Sequence, residues 1–401
     1  MPGAEPPVPV GPVPGLPGAA SPGARQVGGP GPAPVRRGTP RRVIVGWVSL
    51  ALGVVLLIAL GLTPSPYVIE EPGPVFNTLG VDAPVHGSSA AGVDVARNPR
   101  PVITIDGHPT YPTSGGLYML TVSSYGQPGR LPNWLNVVSA WFAPTDAVIP
   151  VDVAYPPATT VTEQNRANEA LMRSSQEDAT AAALHHLGIP VGRRVVVETV
   201  TPGMPAAGVL KPADRITAVD GRPVGTVSAL KKALAAGGPG VARLGIVRAG
   251  VHREVTLRPR LQHGSRVIGV GVTTAYSFPF TVKIRLNEVG GPSAGMMFTL
   301  GILDKMTPGK LNGGHRVAGT GTIDEEGTVG AIGGIEQKMA AARAAGARYF
   351  LAPRGNCPQV VGHVPKGLQV FAVSNLDGAL AVLHAVRTGS STSALPRCPA
   401  A

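Results

Sequence analysis

The chain has 401 residues, enough for roughly two or three domains. Hydrophobic residues make up 43% of it and aromatics only 4%, so its cores are built mainly from Val, Leu, Ile and Ala. The net charge of +12 would suit nucleic acid or an anionic membrane. The Lys and Arg residues are scattered, with no basic stripe interleaved with aromatics, and this sets nucleic acid aside as a partner. There are two cysteines, Cys357 and Cys398, and no CxxC. No thiolate metal site is therefore expected, and neither a metal nor a cofactor. In an exported domain the two thiols can pair or stay free, and the sequence leaves both readings open.

Residues 1–42 are rich in Pro and Gly and hold almost no large apolar side chains. Such a segment buries too little surface to offset the entropy of ordering and is read as a disordered cytoplasmic tail. The run Val43 to Leu62 carries no charge and has the length of about 20 residues that a membrane helix needs. Arg36, Arg37, Arg41 and Arg42 precede it. The positive-inside rule then puts the N-terminus in the cytoplasm and everything after Leu62 outside, on a single-pass anchor. TPSPYV after the run lacks a clean small-x-small cleavage site, so the anchor is expected to stay uncleaved.

Residues 63–186 read as an extracytoplasmic β-rich segment. VITIDG, LYMLTVSS and DAVIPVDVAYP have strand character, and a helix runs from Glu163 to His186. No chemistry is visible there, and the segment is expected to be a spacer.

Between 187 and 260 the pattern changes. RRVVVETV reads as a strand and PGMPAAGVLKPADRITAVDGRPV, Pro202 to Val224, as a turn and strand pair. VSALKKALAA follows as a helix, and VARLGIVRAG with VHREVTLRPR as a hairpin turning at Ala249–Gly250. This order resembles a PDZ domain of the bacterial type, with Ala213 standing where glycine is usual. The resemblance implies peptide binding. Leu187, Gly188 and Ile189 are the candidate carboxylate-binding turn, although Pro190 removes one N–H there.

The last domain is expected over 267–388, with a tail at 389–401. IGVGVTTA and FTVKIRL read as strands, and Ser293 to about Leu303 as a helix. Two strands meet at a Glu326–Gly327 turn, and an alanine-rich helix ends at Gly346. The mixture is α+β. GGPSAG, Gly290 to Gly295, admits two readings. The serine can be an N-cap, accepting from an orphan N–H. It can instead be a displayed nucleophile, with glycines leaving room and helix-start N–H groups near Ser293 and Ala294 serving an oxyanion. A nucleophile needs a base. His315, His363 and His384 lack an orienting carboxylate in any recognisable motif, and GxSxG is absent. Lysine is the remaining class, and Lys338 lies one turn into the alanine-rich helix behind Gly333–Gly334.

Taken together, Pro292-Ser293-Ala294-Gly295, Thr320-Gly321, Gly327-Thr328-Val329, Ile332-Gly333-Gly334 and Lys338 resemble the proteolytic domain of the Lon family. The interval of 45 residues from Ser293 to Lys338 fits that family. The resemblance implies a Ser293 nucleophile, a Lys338 general base and an orienting Thr320. It departs at Val289, Gly290 and Gly291, where an acidic residue is usual, and at Thr322, which stands for a glutamate. No GxxxxGK[ST] occurs in the 401 residues. Anchor, PDZ and Lon-type domain in this order resemble the membrane-anchored YlbL-like proteins. The resemblance implies an ATP-independent serine endopeptidase whose substrates are flexible or membrane-proximal polypeptides. Lon-type domains also assemble into homo-oligomers. The other reading is a non-catalytic membrane adaptor that binds peptides on a Lon-like scaffold.

Overall fold

The computed structural model describes residues 41–85, 87, 99–156, 160–238, 240–262, 264–286 and 289–399. The tail expected over 1–42 lies outside the described residues as far as residue 40. Helix α1 (Arg41–Leu62) is continuous over 22 residues. It begins two residues earlier than the uncharged run because nothing in Arg41 or Arg42 breaks a helix. Its large apolar side chains from Val43 to Ile58 are exposed.

The remainder, from Leu57, contains two open six-stranded sheets. Chain order begins with β1 (Tyr67–Asn77), β2 (Ile103–Asp106), β3 (Gly116–Tyr125), α2 (Trp134–Phe142), β4 (Ala147–Pro150), α3 (Val151–Ala154) and α4 (Val161–His186). A capping box of Thr160 and Glu163 starts α4. Next come β5 (Gly192–Val200), β6 (Arg215–Val219), β7 (Arg222–Pro223), α5 (Val227–Ala235), β8 (Ala242–Arg248) and β9 (Val251–Leu257). Then β10 (Arg260–Gln262), β11 (Ser265–Val267), β12 (Val270–Ser277), β13 (Thr281–Ile284) and α6 (Gly295–Met306) follow. The chain closes with β14 (Arg316–Gly319), β15 (Thr322–Ile323), β16 (Val329–Gly330), α7 (Ile335–Ala344), β17 (Tyr349–Pro353), α8 (Cys357–Val360), β18 (Gln369–Val373) and α9 (Leu376–Thr388).

The first sheet has the order β18-β17-β14-β3-β1-β4. This corrects the reading of 63–186 as a spacer. β3 pairs in parallel with β14, Leu117 opposite Val317 and Met119 opposite Gly319, so strands about 200 residues apart in sequence form one surface. The pairing is enforced by burial on both faces. Phe76, Leu117 and Met119 pack with α6 side chains Met296, Met297 and Phe298, while Val75, Tyr118 and Leu120 pack with Ile335 and Met339 of α7. Helix α4 lies against α6, and Thr299 Oγ1 donates to the carbonyl of Ala179 at 3.2 Å.

The second sheet has the order β12-β5-β6-β8-β9, with β7 on β6. It extends the PDZ-like region beyond 260. β12, expected in the last domain, pairs with β5 from Val270 opposite Val200 to Ser277 opposite Gly192. FTVKIRL instead supplies β13, which pairs with β2. The Ala249–Gly250 hairpin forms as expected between β8 and β9. Ala213 has φ +70°, the left-handed backbone that explains why glycine is usual there. Cys357 and Cys398 are joined by a disulfide, which ties the C-terminal tail to α8.

Candidate active site

The loop 289–294 is held from two sides. On one side α4 reaches it: Ser175 Oγ donates to the carbonyl of Pro292 at 3.0 Å, and Gly291 N–H donates to the carbonyl of Asn168 at 3.0 Å. On the other, the Thr320–Gly321 segment clamps the carbonyl of Ser293, which accepts from Thr320 Oγ1 at 3.0 Å and from Gly321 N–H at 2.8 Å. The bond found for Thr320 thus goes to the serine's own backbone rather than to the lysine. Gly295 must be glycine, since a Cβ there would come within 2.9 Å of Ser175 Oγ and 3.2 Å of the Ile323 nitrogen.

Helix α6 starts two residues later than the sequence suggested. Its N-cap is Ala294, with no side-chain cap bond. The Ser293 hydroxyl is therefore not consumed in capping. Among the described residues the N–H groups of Ser293 and Ala294 donate to no backbone carbonyl. They stand at the positive end of a twelve-residue helix.

Lys338 projects from the first turn of α7 and is only 4% exposed. Together with Ser293 it lines a cleft of about 840 Å³. Burial pulls its ammonium pKa down from 10.5 to about 8, and the carboxylate of Glu70 works against that shift. Glu70 is half-buried in the same cleft, and desolvation raises its own pKa while Lys338 lowers it. Sequence reading missed Glu70. It sits on β1 opposite Ser124 of β3, and only that strand register places it near α7. Among the described residues no histidine lines the cleft, and His315, His363 and His384 are not beside Ser293.

The far wall is β3 from Met119 to Tyr125, with Met172 and Val289 adding apolar surface. β14 ends opposite Met119, so on that side β3 has no strand partner from Leu120 to Tyr125 among the described residues. Of the expected carboxylate-binding turn Leu187, Gly188 and Ile189, the last two line a small cavity of about 250 Å³ with Pro190 and Arg193. Leu187 caps the end of α4, and both Leu187 and Ile189 pack onto the main core. Among the described residues no group of three or more His, Cys, Asp or Glu is arranged to hold a metal.

Two stretches of the chain are similar to known domains, one to a Lon-type proteolytic domain and one to a PDZ domain. Residues 288–385 match the Lon protease (S16) C-terminal proteolytic domain family, and residues 196–248 match the PDZ domain family. Curated relatives include the Lon protease of Lachnoclostridium phytofermentans, 33% identical over 93 residues, 22% of this chain and 11% of that protein. The Lon protease of Campylobacter concisus is 34% identical over 94 residues, 22% and 11% of the two chains. The magnetosome formation protease MamE of Paramagnetospirillum magneticum is 46% identical over 74 residues, 18% and 10%. The chain thus spans about a tenth of the length of these relatives. Among solved structures, the PDZ domain of an SdrC-like protein from Listeria monocytogenes aligns with 20% of this chain and 85% of its own, at 21% identity and a TM-score of 0.18.

Proposed function

We propose that the protein is an ATP-independent serine endopeptidase, anchored by α1 with its catalytic domain outside the cytoplasmic membrane. One observation carries the reading. A lysine buried to 4% exposure shares a cleft with a serine whose hydroxyl is free of capping duty. With its pKa drawn to about 8, a substantial fraction of Lys338 is neutral near physiological pH and able to take a proton.

In this mechanism Nζ of neutral Lys338 accepts the Ser293 hydroxyl proton as Oγ adds to the scissile carbonyl. The N–H groups of Ser293 and Ala294 donate to the resulting oxyanion. The Lys338 ammonium then protonates the leaving amine, and the same Nζ draws a proton from the water that cleaves the acyl-enzyme. Glu70 steadies the ammonium form. Thr320, through the Ser293 carbonyl, fixes the loop rather than the base. A flexible polypeptide laid along the open edge of β3 would present its backbone to Ser293 by strand pairing. The PDZ domain, whose outer strand β12 is an edge, would retain such a chain nearby.

The test is covalent labelling by a fluorophosphonate or peptide boronate over about pH 6–10. Labelling at Ser293 should rise through about pH 8 and disappear in Lys338→Met. Peptide cleavage that survives Ser293→Ala would sink the proposal, and a chain that neither labels nor cleaves at any pH would leave a peptide-binding adaptor.

A further inference from the structure

The chain leaves α1 at Leu62 and is tied at once to one corner of the fold. Pro64 forms a bridge with Asn133, the residue that caps α2. Ser65 donates through both its N–H and its Oγ to the carbonyl of Pro132, at 2.8 and 2.9 Å. Val151 N–H, at the start of α3, donates to the carbonyl of Pro66. A Cβ on Gly61 would lie 3.2 Å from the Leu135 side chain. So α2 and α3 flank the point where the apolar helix ends.

Apart from Asp152 of α3 and Ser139 of α2, the exposed side chains of these two helices are apolar. Helix α2, WLNVVSAWF, has no charged residue. Leu135 is 38% exposed, Trp141 58% and Phe142 85%, and Val153 of α3 is 67% exposed. Leu135, Val138 and Phe142 fall at i, i+3 and i+7, one stripe of the helix. The chain has three tryptophans, and all of them lie in α1 or α2: Trp47, Trp134 and Trp141. Indole and phenyl rings with an apolar body favour the boundary between lipid and water. Among the described residues nothing covers a side chain as exposed as Phe142.

We propose that α2 and the adjoining α3 form a membrane-seating face, with Trp141, Phe142 and Val153 resting in the outer boundary of the same bilayer that α1 spans. The proposal rests on the reading of α1 as an anchor. It has a consequence for substrate choice. Leu135 and Ser139 of α2 also line a cavity of about 450 Å³, and this shares Glu71 and Tyr125 with the larger cleft. Seating α2 on lipid puts the mouth of that cavity at the membrane surface. The polypeptides that reach Ser293 most readily are then the juxtamembrane segments of membrane proteins.

Full-length protein carrying Trp47→Phe and Trp134→Phe keeps Trp141 as its single reporter. It is placed in lipid nanodiscs at one chain per disc. The expected result is quenching of Trp141 by lipids brominated near the head group and shielding from aqueous iodide, both reversed by Phe142→Asp. Iodide access with no bromine quenching, in a chain that has entered the disc, overturns the seating face and leaves the anchor standing. A chain that does not enter the disc overturns both. Shielding from iodide that appears only with two chains per disc, without bromine quenching, assigns the face to a second copy and also overturns the proposal.

Discussion

The cleft is built by two stretches of chain that contribute different things. Residues 289–338 bring the reacting groups, a hydroxyl, an amine and two helix-start N–H groups, within one compact run. Residues 67–175 bring the surroundings: Glu70, the open edge of β3, and the Asn168 and Ser175 contacts that hold the loop. The difference teaches that reactivity here is local in sequence while its tuning is long-range. The largest expected effect belongs to the first stretch. Lys338→Met should fold and lose peptide hydrolysis by about 10³-fold or more, since the proton acceptor is gone. Lys338→Arg should be as poor, because a guanidinium does not give up its proton near neutral pH. Steady-state cleavage of an unstructured peptide measures both.

The second stretch can be tested as a structural partner of equal rank. Phe76 on β1 is 1% exposed and packs with α6, while Phe350 on β17 is fully buried against α7. Either Phe→Ala change should cost about 3–5 kcal/mol. Hydrogen exchange of α6 peptides reads the outcome. Protection in α6 that is unchanged by Phe76→Ala would mean that the upstream strands are a detachable layer after all.

This division explains what could be read from the sequence. The Gly327 turn and the Gly346 helix end were legible because each has a local physical reason, while Ser293 and Lys338 were singled out by short motifs of a family resemblance and line one cleft. The PDZ hairpin was legible from Ala249–Gly250, again for a local reason. Glu70 was not, because its position depends on pairing with Ser124 and on α7 covering that face of the sheet. The place of β12 was misread because its alternation fits either sheet, and only its long pairing with β5 decides. Leu187 and Ile189 also pack partly onto the core, a role that the analogy with a binding turn does not show.

A smaller effect concerns the joint between the two sheets. Tyr276, on β12, donates to Asp178 of α4 at 2.8 Å and to Glu325 at 3.2 Å. Burial chiefly, with Glu325 and Glu177 adding to it, raises the Asp178 pKa from 3.8 to about 6, while the Tyr276 bond works the other way. A carboxyl whose folded pKa is raised favours the fold fully below its unfolded value and loses that contribution as pH rises through about 6. Asp178→Asn keeps an acceptor for Tyr276 and removes the charge. It should therefore stabilise the protein at pH 7–8 by about 1–3 kcal/mol and have little effect near pH 4. Thermal melts of the two proteins at both pH values check this. A less stable variant at the higher pH would mean that the charge itself holds the joint.

The smallest expected effect joins the two stretches most directly. Glu70 comes from the upstream strand and Lys338 from the downstream helix. Desolvation lowers the lysine pKa, and the Glu70 carboxylate opposes that shift. Glu70→Gln removes the opposing charge at nearly constant shape. The Lys338 pKa should fall further, and the rising limb of the pH–rate profile should move to lower pH. The plateau above the limb should fall modestly, because a less basic amine is a weaker proton acceptor. Glu70→Ala should move the limb the same way but lower the plateau further, since it also opens space beside the lysine. A limb that stays near pH 8 in both variants would show that the upstream strand shapes the cleft without tuning its base.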